Sequence, residues 1–344
     1  MSYDTAIVVG AGAFGTCIAS VLANNFKKVI LKVRSEDVYD AIKNNKENSV
    51  YLPGIKLADN IEAVLNWDEL DKKTFGNKIE IIVSGLPTAG INNFFNDEYL
   101  RFKNYFDQEI PLVSLSKGID PETLELSDDL FFDLFSEHRE LFCFLSGPSF
   151  AKEVMQEQIT LATCAGRSKK TLTKVAKMID APYFKLLLSY DVKGVLLGGA
   201  LKNILAIAGG IVEGLGYNHN TRAALITRGI AEMLKYGMVY NARPETFYGL
   251  SGMGDLILTT TGGLSRNKKF GIEIAKGRSA EEIINSQRTV VEGYKTAKAA
   301  HLVSKKNDIN ARIFNGVYSV LYEGENAEDV IKSMMKVPSR FEIE

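Results

Sequence analysis

Lys202 and Asp255 are the residues of this chain best suited by type and setting to move a proton. Lys202 lies within Leu196-Leu-Gly-Gly-Ala-Leu-Lys-Asn-Ile-Leu-Ala-Ile207, an apolar run that reads as a buried helix. Desolvation there disfavours the charged ammonium and lowers its pKa, so that a lysine can both give and take a proton near neutrality. The same run also suits a lysine whose stem covers apolar surface while its head reaches water. Asn203, a second costly polar group on that helix, favours the chemical role. Asp255 sits in Gly249-Leu-Ser-Gly-Met-Gly-Asp-Leu-Ile-Leu-Thr259, a carboxylate presented from a glycine-rich turn at a helix start. It fits a helix N-cap equally well; beside Lys202 it would orient the ammonium and steady its pKa. Ser265-Arg266-Asn267 brings a hydroxyl, a guanidinium and an amide to a helix N-terminus, which suits a phosphate or an ordinary serine cap.

Other chemistries lack their residues. His138, His219 and His301 are far apart and fit no metal-ligand spacing, so no catalytic metal is expected. Neither a G-x-S-x-G elbow nor a Cys/His nucleophile pattern occurs.

The candidate groups need elements to hold them. The β-branched run Thr5-Ala-Ile-Val-Val9 breaks into Gly10-Ala-Gly12-Ala-Phe-Gly15 and then into a helical run ending at Ala23. Strand, glycine turn and helix start in this order predict a dinucleotide site. Gly10 allows the tight turn, Gly12 lets backbone approach a pyrophosphate, and Gly15 lets helix and strand pack closely. Apolar runs at 6–9, 29–33, 79–84, 112–115 and 142–145 alternate with helical stretches, as in βαβ units. From about residue 190 the texture turns helical, over 191–212, 221–236, 266–276, 292–305, 313–322 and 327–335. The expected architecture is an α/β, Rossmann-type dinucleotide-binding domain over 1–190 and an all-α substrate and catalytic domain over 191–344. The run 194–212 approaches membrane-spanning length, but Lys202 and Asn203 at its centre argue for burial in protein rather than insertion in lipid.

A chain of 344 residues has length for about two domains. Lys+Arg 41 against Asp+Glu 42 gives a formal charge of −1 without a basic stripe, so nucleic acid is not an expected partner. Cys17, Cys143 and Cys164 make neither a disulfide framework nor a thiolate metal site and fit a reducing compartment. No charged-then-apolar leader is present, and the expected location is cytoplasmic.

Together these motifs resemble the NAD(P)-dependent glycerol-3-phosphate dehydrogenases of bacterial type. Further stretches carry the resemblance: Glu47-Asn-Ser-Val-Tyr-Leu-Pro-Gly54, Ser116-Lys-Gly118, Leu145-Ser-Gly-Pro-Ser-Phe-Ala-Lys-Glu-Val154, Asn220-Thr-Arg-Ala-Ala-Leu-Ile-Thr-Arg228 and Val290-Val-Glu-Gly293. The resemblance implies the two-domain fold above, a homodimer, and reversible reduction of dihydroxyacetone phosphate to sn-glycerol 3-phosphate for glycerophospholipid synthesis. By position it implies Lys202 as general acid/base with Asp255 as its partner. It implies substrate contacts at Lys117, Gly147, Ser149, Asn203, Thr259, Ser265, Arg266 and Asn267. It also implies cofactor contacts at Ala13, Phe14, Arg34, Lys117, Ala151, Arg266, Val290 and Glu292, beside Gly10, Gly12 and Gly15. Where the family carries an aromatic residue this chain has Lys32. Arg34 stands near the end of the second strand, where an NAD-selective site places an acid, so NADP is favoured over NAD. A related hydroxyacid or ketopantoate-type dehydrogenase is the alternative enzyme, and a non-catalytic nucleotide sensor the alternative class.

Overall fold

The computed structural model describes residues 2–286 and 291–336. Among the described residues eight strands form one sheet: β1 (Tyr3–Val9), β2 (Phe26–Lys32), β3 (Ile61–Val64), β4 (Ile79–Ser84), β5 (Leu112–Ser114), β6 (Phe142–Ser146), β7 (Thr160–Gly166) and β8 (Phe184–Ser189). Their order is β3-β2-β1-β4-β5-β6-β7-β8. Every neighbouring pair is parallel except β6–β7, which is antiparallel. The order reverses between β1 and β4, and the crevice beyond their carboxyl ends is where such sheets bind ligands. The five strands expected from sequence are present, and β3, β7 and β8 are additional. β3 has only four residues, while β7 and β8 turn Leu161, Leu187 and Leu188 outward, which hides their period.

Side-chain alternation sorts the strands between two cores. Ala6, Val8, Val29, Leu31, Ile81, Val83, Val113 and Cys143 face the helix Ala13–Ala23 and its neighbours. Ile7, Val9, Ile30, Val64, Ile82, Leu112, Phe142 and Phe144 share a single core with Val195, Leu201, Ile204 and Ile207 of the helical half.

The helix Val192–Gly214 is the axis of that helical half. Asp191 caps it, its Oδ1 accepting the Gly194 N–H at 3.0 Å, while its Oδ2 accepts from Thr246 Oγ1 at 2.6 Å. The helix is long and apolar enough to cross a membrane, yet from Gly194 to Val212 every residue is buried inside the protein. The helix Arg266–Ala275 crosses it backbone to backbone. A Cβ on Gly210 would come within 2.0 Å of the Lys268 carbonyl oxygen, and one on Gly271 within 2.1 Å of the Ile207 carbonyl oxygen. Only glycine permits this approach.

Alanine is the better helix former by about 1 kcal/mol, whereas forcing a methyl into a packed contact costs about 1–3 kcal/mol. Gly210→Ala is therefore expected to lower the midpoint of urea or thermal unfolding. An unchanged or raised midpoint would show that the two helices have room to spare.

Candidate active site

The glycine turn follows β1 at the carboxyl edge of the sheet. Gly10 has φ +103°, and a Cβ there would lie 3.0 Å from the Gly85 carbonyl at the end of β4. A Cβ on Gly15 would collide with the Gly10 oxygen, whereas one on Gly12 would meet nothing within 4 Å. Gly10 and Gly15 thus hold the turn tight, and Gly12 leaves open space before the helix that begins at Ala13 and Phe14. That open, N–H-rich helix start fits a dinucleotide pyrophosphate. Asn48 secures the turn from outside, donating through Nδ2 to the Ala11 carbonyl at 2.9 Å and to Thr16 Oγ1 at 2.8 Å.

Two helices and a loop bring the charged groups together. Lys202 projects from the central helix, Asp255 from the first position of the helix Asp255–Thr261, and Lys117 from the loop after β5. Lys202 Nζ lies 2.7 Å from Asp255 Oδ1 and donates to Thr259 Oγ1 at 2.8 Å. Lys117 Nζ lies 2.9 Å from Asp255 Oδ2 and donates to the Gly147 carbonyl at 3.3 Å. The Asp255 carboxylate is therefore engaged by two ammoniums and does not cap its helix. Burial drives the Lys202 ammonium down to about 8, with Asp255 opposing the shift and Lys117 adding to it. Burial pushes the Asp255 carboxyl upward, but the ammoniums of Lys117 and Lys202 outweigh it and hold the group below its usual range.

The surrounding side chains tie the loops to one another. Asn203 Nδ2 donates to the Lys117 carbonyl at 3.4 Å, and its Oδ1 accepts from Asn267 Nδ2 at 2.9 Å. Asn267 Oδ1 in turn accepts the Gly293 N–H at 3.0 Å. Ser149 Oγ donates to the Gly147 carbonyl at 3.0 Å, and Ala151 begins the next short helix. Ser265 Oγ accepts the Lys268 N–H at 3.2 Å, so its hydroxyl caps the helix that Arg266, exposed, begins. Lys117 Nζ stands 5.4 Å from the Phe14 ring centroid, joining this cluster to the glycine turn. Glu292 opens the helix Glu292–Lys306; protein crowds its carboxyl, and burial pushes it up to about 7 against the pull of Arg266 and Lys117. Val290 lies outside the described residues.

At the far end of the crevice Arg34 and Glu36 are exposed just beyond β2. Lys32 turns away from them, donating to the Leu65 carbonyl at 2.8 Å and lying 5.4 Å from the Trp67 ring centroid. Among the described residues no group of three or more His, Cys, Asp or Glu side chains is disposed to hold a metal ion. Asn48, which braces the glycine turn, was not singled out from the sequence. Its only signal in the chain was the stretch Glu47–Gly54 around it.

Comparison with known proteins gives this geometry a family. Residues 5–172 match the family described as NAD-dependent glycerol-3-phosphate dehydrogenase N-terminus, and residues 191–332 its C-terminus counterpart. A glycerol-3-phosphate dehydrogenase (NAD(P)+) of Solidesulfovibrio magneticus is 38% identical over 328 residues, covering 95% of this chain and 97% of the relative. One of Myxococcus xanthus is 39% identical over 329 residues, covering 95% and 96%. The crystal structure of a glycerol-3-phosphate dehydrogenase from Coxiella burnetii superposes with a TM-score of 0.87 at 28% identity, covering 98% of this chain and 99% of that one. An α/β Rossmann-type half joined to an all-α half, with matches across both, establishes that the chain belongs to the NAD-dependent glycerol-3-phosphate dehydrogenase family, oxidoreductases that use NAD or NADP.

Proposed function

We propose that this chain catalyses the reversible reduction of dihydroxyacetone phosphate to sn-glycerol 3-phosphate, supplying glycerophospholipid synthesis, with Lys202 as general acid/base. The observation that carries the proposal is the Lys202 ammonium held between Asp255 and Thr259 in the cleft below the glycine turn. The residues fit a dinucleotide: Gly12 leaves room for the pyrophosphate, and Lys117, Arg266 and Glu292 flank the path from there to Lys202. When bound, the reduced nicotinamide supplies the hydride. Lys202 Nζ delivers a proton to the oxygen on the substrate's second carbon, and in the oxidising direction its neutral amine takes that proton back. Lys117 contributes positive charge where the alkoxide develops, and Asp255 aligns both ammoniums. Arg266, exposed at a helix N-terminus beside the Asn203–Asn267 pair, receives the substrate phosphate. Ser149, Gly147 and Thr259 line the substrate side. Three buried free thiols suit the cytoplasm, and the helical half is our choice for the contact of a homodimer.

Turnover of dihydroxyacetone phosphate, followed at the reduced-nicotinamide absorbance with NADPH and NADH in turn, tests the reaction; absence of turnover with both overturns it. With Lys202 held at about 8, the donor form needed for reduction is lost above that pH, and the amine needed for oxidation is gained. Reduction should therefore fall, and oxidation rise, as pH passes through that value. Lys202→Ala should cut kcat by about 10²–10⁴-fold while dinucleotide affinity holds. A flat profile or an active variant would remove Lys202 from the chemistry.

Arg34 suits the 2′-phosphate of NADP, since a guanidinium beyond the second strand can accommodate that group. Arg34→Ala should weaken NADPH binding more than NADH binding in parallel titrations. Equal losses would assign the arginine to adenine stacking instead.

Asp255→Ala should destabilise the fold by roughly 3–5 kcal/mol near pH 7, because it leaves two ammoniums facing each other without a counter-charge. Without Asp255 the folded pKa of Lys202 falls further below its unfolded value. The unfolded chain then binds the extra proton, and stability rises with pH until the unfolded lysine also deprotonates. Urea titrations at pH 7 and pH 9 should show the deficit shrinking at the higher pH; a constant deficit would contradict this electrostatic account.

A further inference from the structure

Thr88 carries a hydroxyl for which the described residues provide no partner. It opens the short turn Thr88–Gly90 after β4, beside the point where the strand order reverses, and is only 4% exposed. Its Oγ1 is buried without a hydrogen bond among the described residues, a condition that folded proteins rarely leave unexplained. Across a narrow gap lies Glu292, whose carboxylate makes no hydrogen bond among the described residues. Gly118 separates the two. A Cβ at that position would stand 2.8 Å from Thr88 Oγ1 and 3.1 Å from Glu292 Oε2. The absent side chain thus leaves a slot with a hydroxyl on one wall and a carboxylate on the other. Gly118 directly follows Lys117, whose ammonium pairs with Asp255, so the slot opens at the proton-transfer end of the cleft.

A primary amide presents a carbonyl acceptor and an NH2 donor side by side, which complements a hydroxyl donor opposite a carboxylate acceptor. A phosphate or carboxylate offers acceptors alone and would face Glu292. An ammonium would have to sit among Arg266, Lys117, Lys295 and Lys202, the cations that act on Glu292. We propose that Thr88 positions the nicotinamide ring by donating its Oγ1–H to the carboxamide oxygen, while Glu292 accepts from the carboxamide NH2. Gly118 is then required because any side chain would fill the slot. The assignment of Thr88 is new, and it rests on the reading of Glu292 as a cofactor contact. Holding the carboxamide fixes the rotation of the ring about its ribose bond and thereby which ring face meets the substrate.

Thr88→Val keeps the shape and removes the hydroxyl. Dissociation constants would be measured by fluorescence or calorimetry for NADH, for ADP-ribose, which ends before the nicotinamide, and for reduced 3-acetylpyridine adenine dinucleotide, which keeps the carbonyl but replaces NH2 with a methyl group. The variant should bind NADH and the acetylpyridine analogue about five- to tenfold more weakly and ADP-ribose as the wild type does. Wild type should favour NADH over the analogue, and Glu292→Ala should lose that preference. An unchanged NADH constant in Thr88→Val, or an equal loss for ADP-ribose, would overturn the proposal. If the wild-type chain binds dinucleotides and reduces dihydroxyacetone phosphate while either of those results holds, only the role of Thr88 fails; if it does neither, the broader reading of the site fails first.

Discussion

One buried carboxylate between two ammoniums governs this structure. Asp255 is almost wholly enclosed, and its two oxygens are divided between Lys202 and Lys117. A charge in such a place is tolerated only when paired, and here the pairing leaves the trio one positive charge in excess. That excess, walled by apolar residues of the central helix, attracts an anion, which is what a phosphorylated substrate and a developing alkoxide both are. The three partners come from the loop after β5, from the central helix and from the short helix Asp255–Thr261. The Lys117–Asp255 pair is therefore also a contact across the two halves of the chain.

The backbone has to be unusually close for this to happen. The central helix meets the Leu250–Gly254 turn through Gly198, where a Cβ would lie 2.6 Å from the Ser251 oxygen, and meets the Arg266–Ala275 helix through Gly210. Small residues let these elements approach, and the approach carries Asp255 and Thr259 to Lys202. The asparagine relay from Lys117 through Asn203 and Asn267 to Gly293 then fixes the fourth wall of the cleft by directional hydrogen bonds. Glycine provides proximity and asparagine provides register.

Much of this was legible in the chain, for local reasons. The turn Gly10 to Gly15 declares itself because strand, turn and helix are contiguous, and Lys202 stands out because a charge in an apolar helix is costly wherever it falls. The contact of Lys117 with Asp255 was not legible, since the two are 138 residues apart and neither has a local pattern that names the other. Ser265 illustrates the opposite case. Its position at a helix start suited a phosphate or a cap, and its hydroxyl is found capping. Strands β7 and β8 were obscured because their outward leucines imitate the apolar content of a helix, whereas Thr88 became visible only when its hydroxyl could be seen to lack a partner.

The core that Ile7, Val9, Ile30 and Ile82 share with the central helix has a consequence for how the molecule comes apart. Cutting the chain between β8 and that helix would uncover the part of β6 and β7 on which the helix packs, while Phe95, Phe106 and Phe131 keep the rest of that face covered. The helical half would lose the surface against which Val195, Leu201 and Ile204 pack. Although the sequence reads as two successive modules, neither is insulated from the other thermodynamically. The seam between the halves is therefore apolar core rather than solvent, and a first half emerging alone from the ribosome carries that patch of β6 and β7 exposed until the second half arrives.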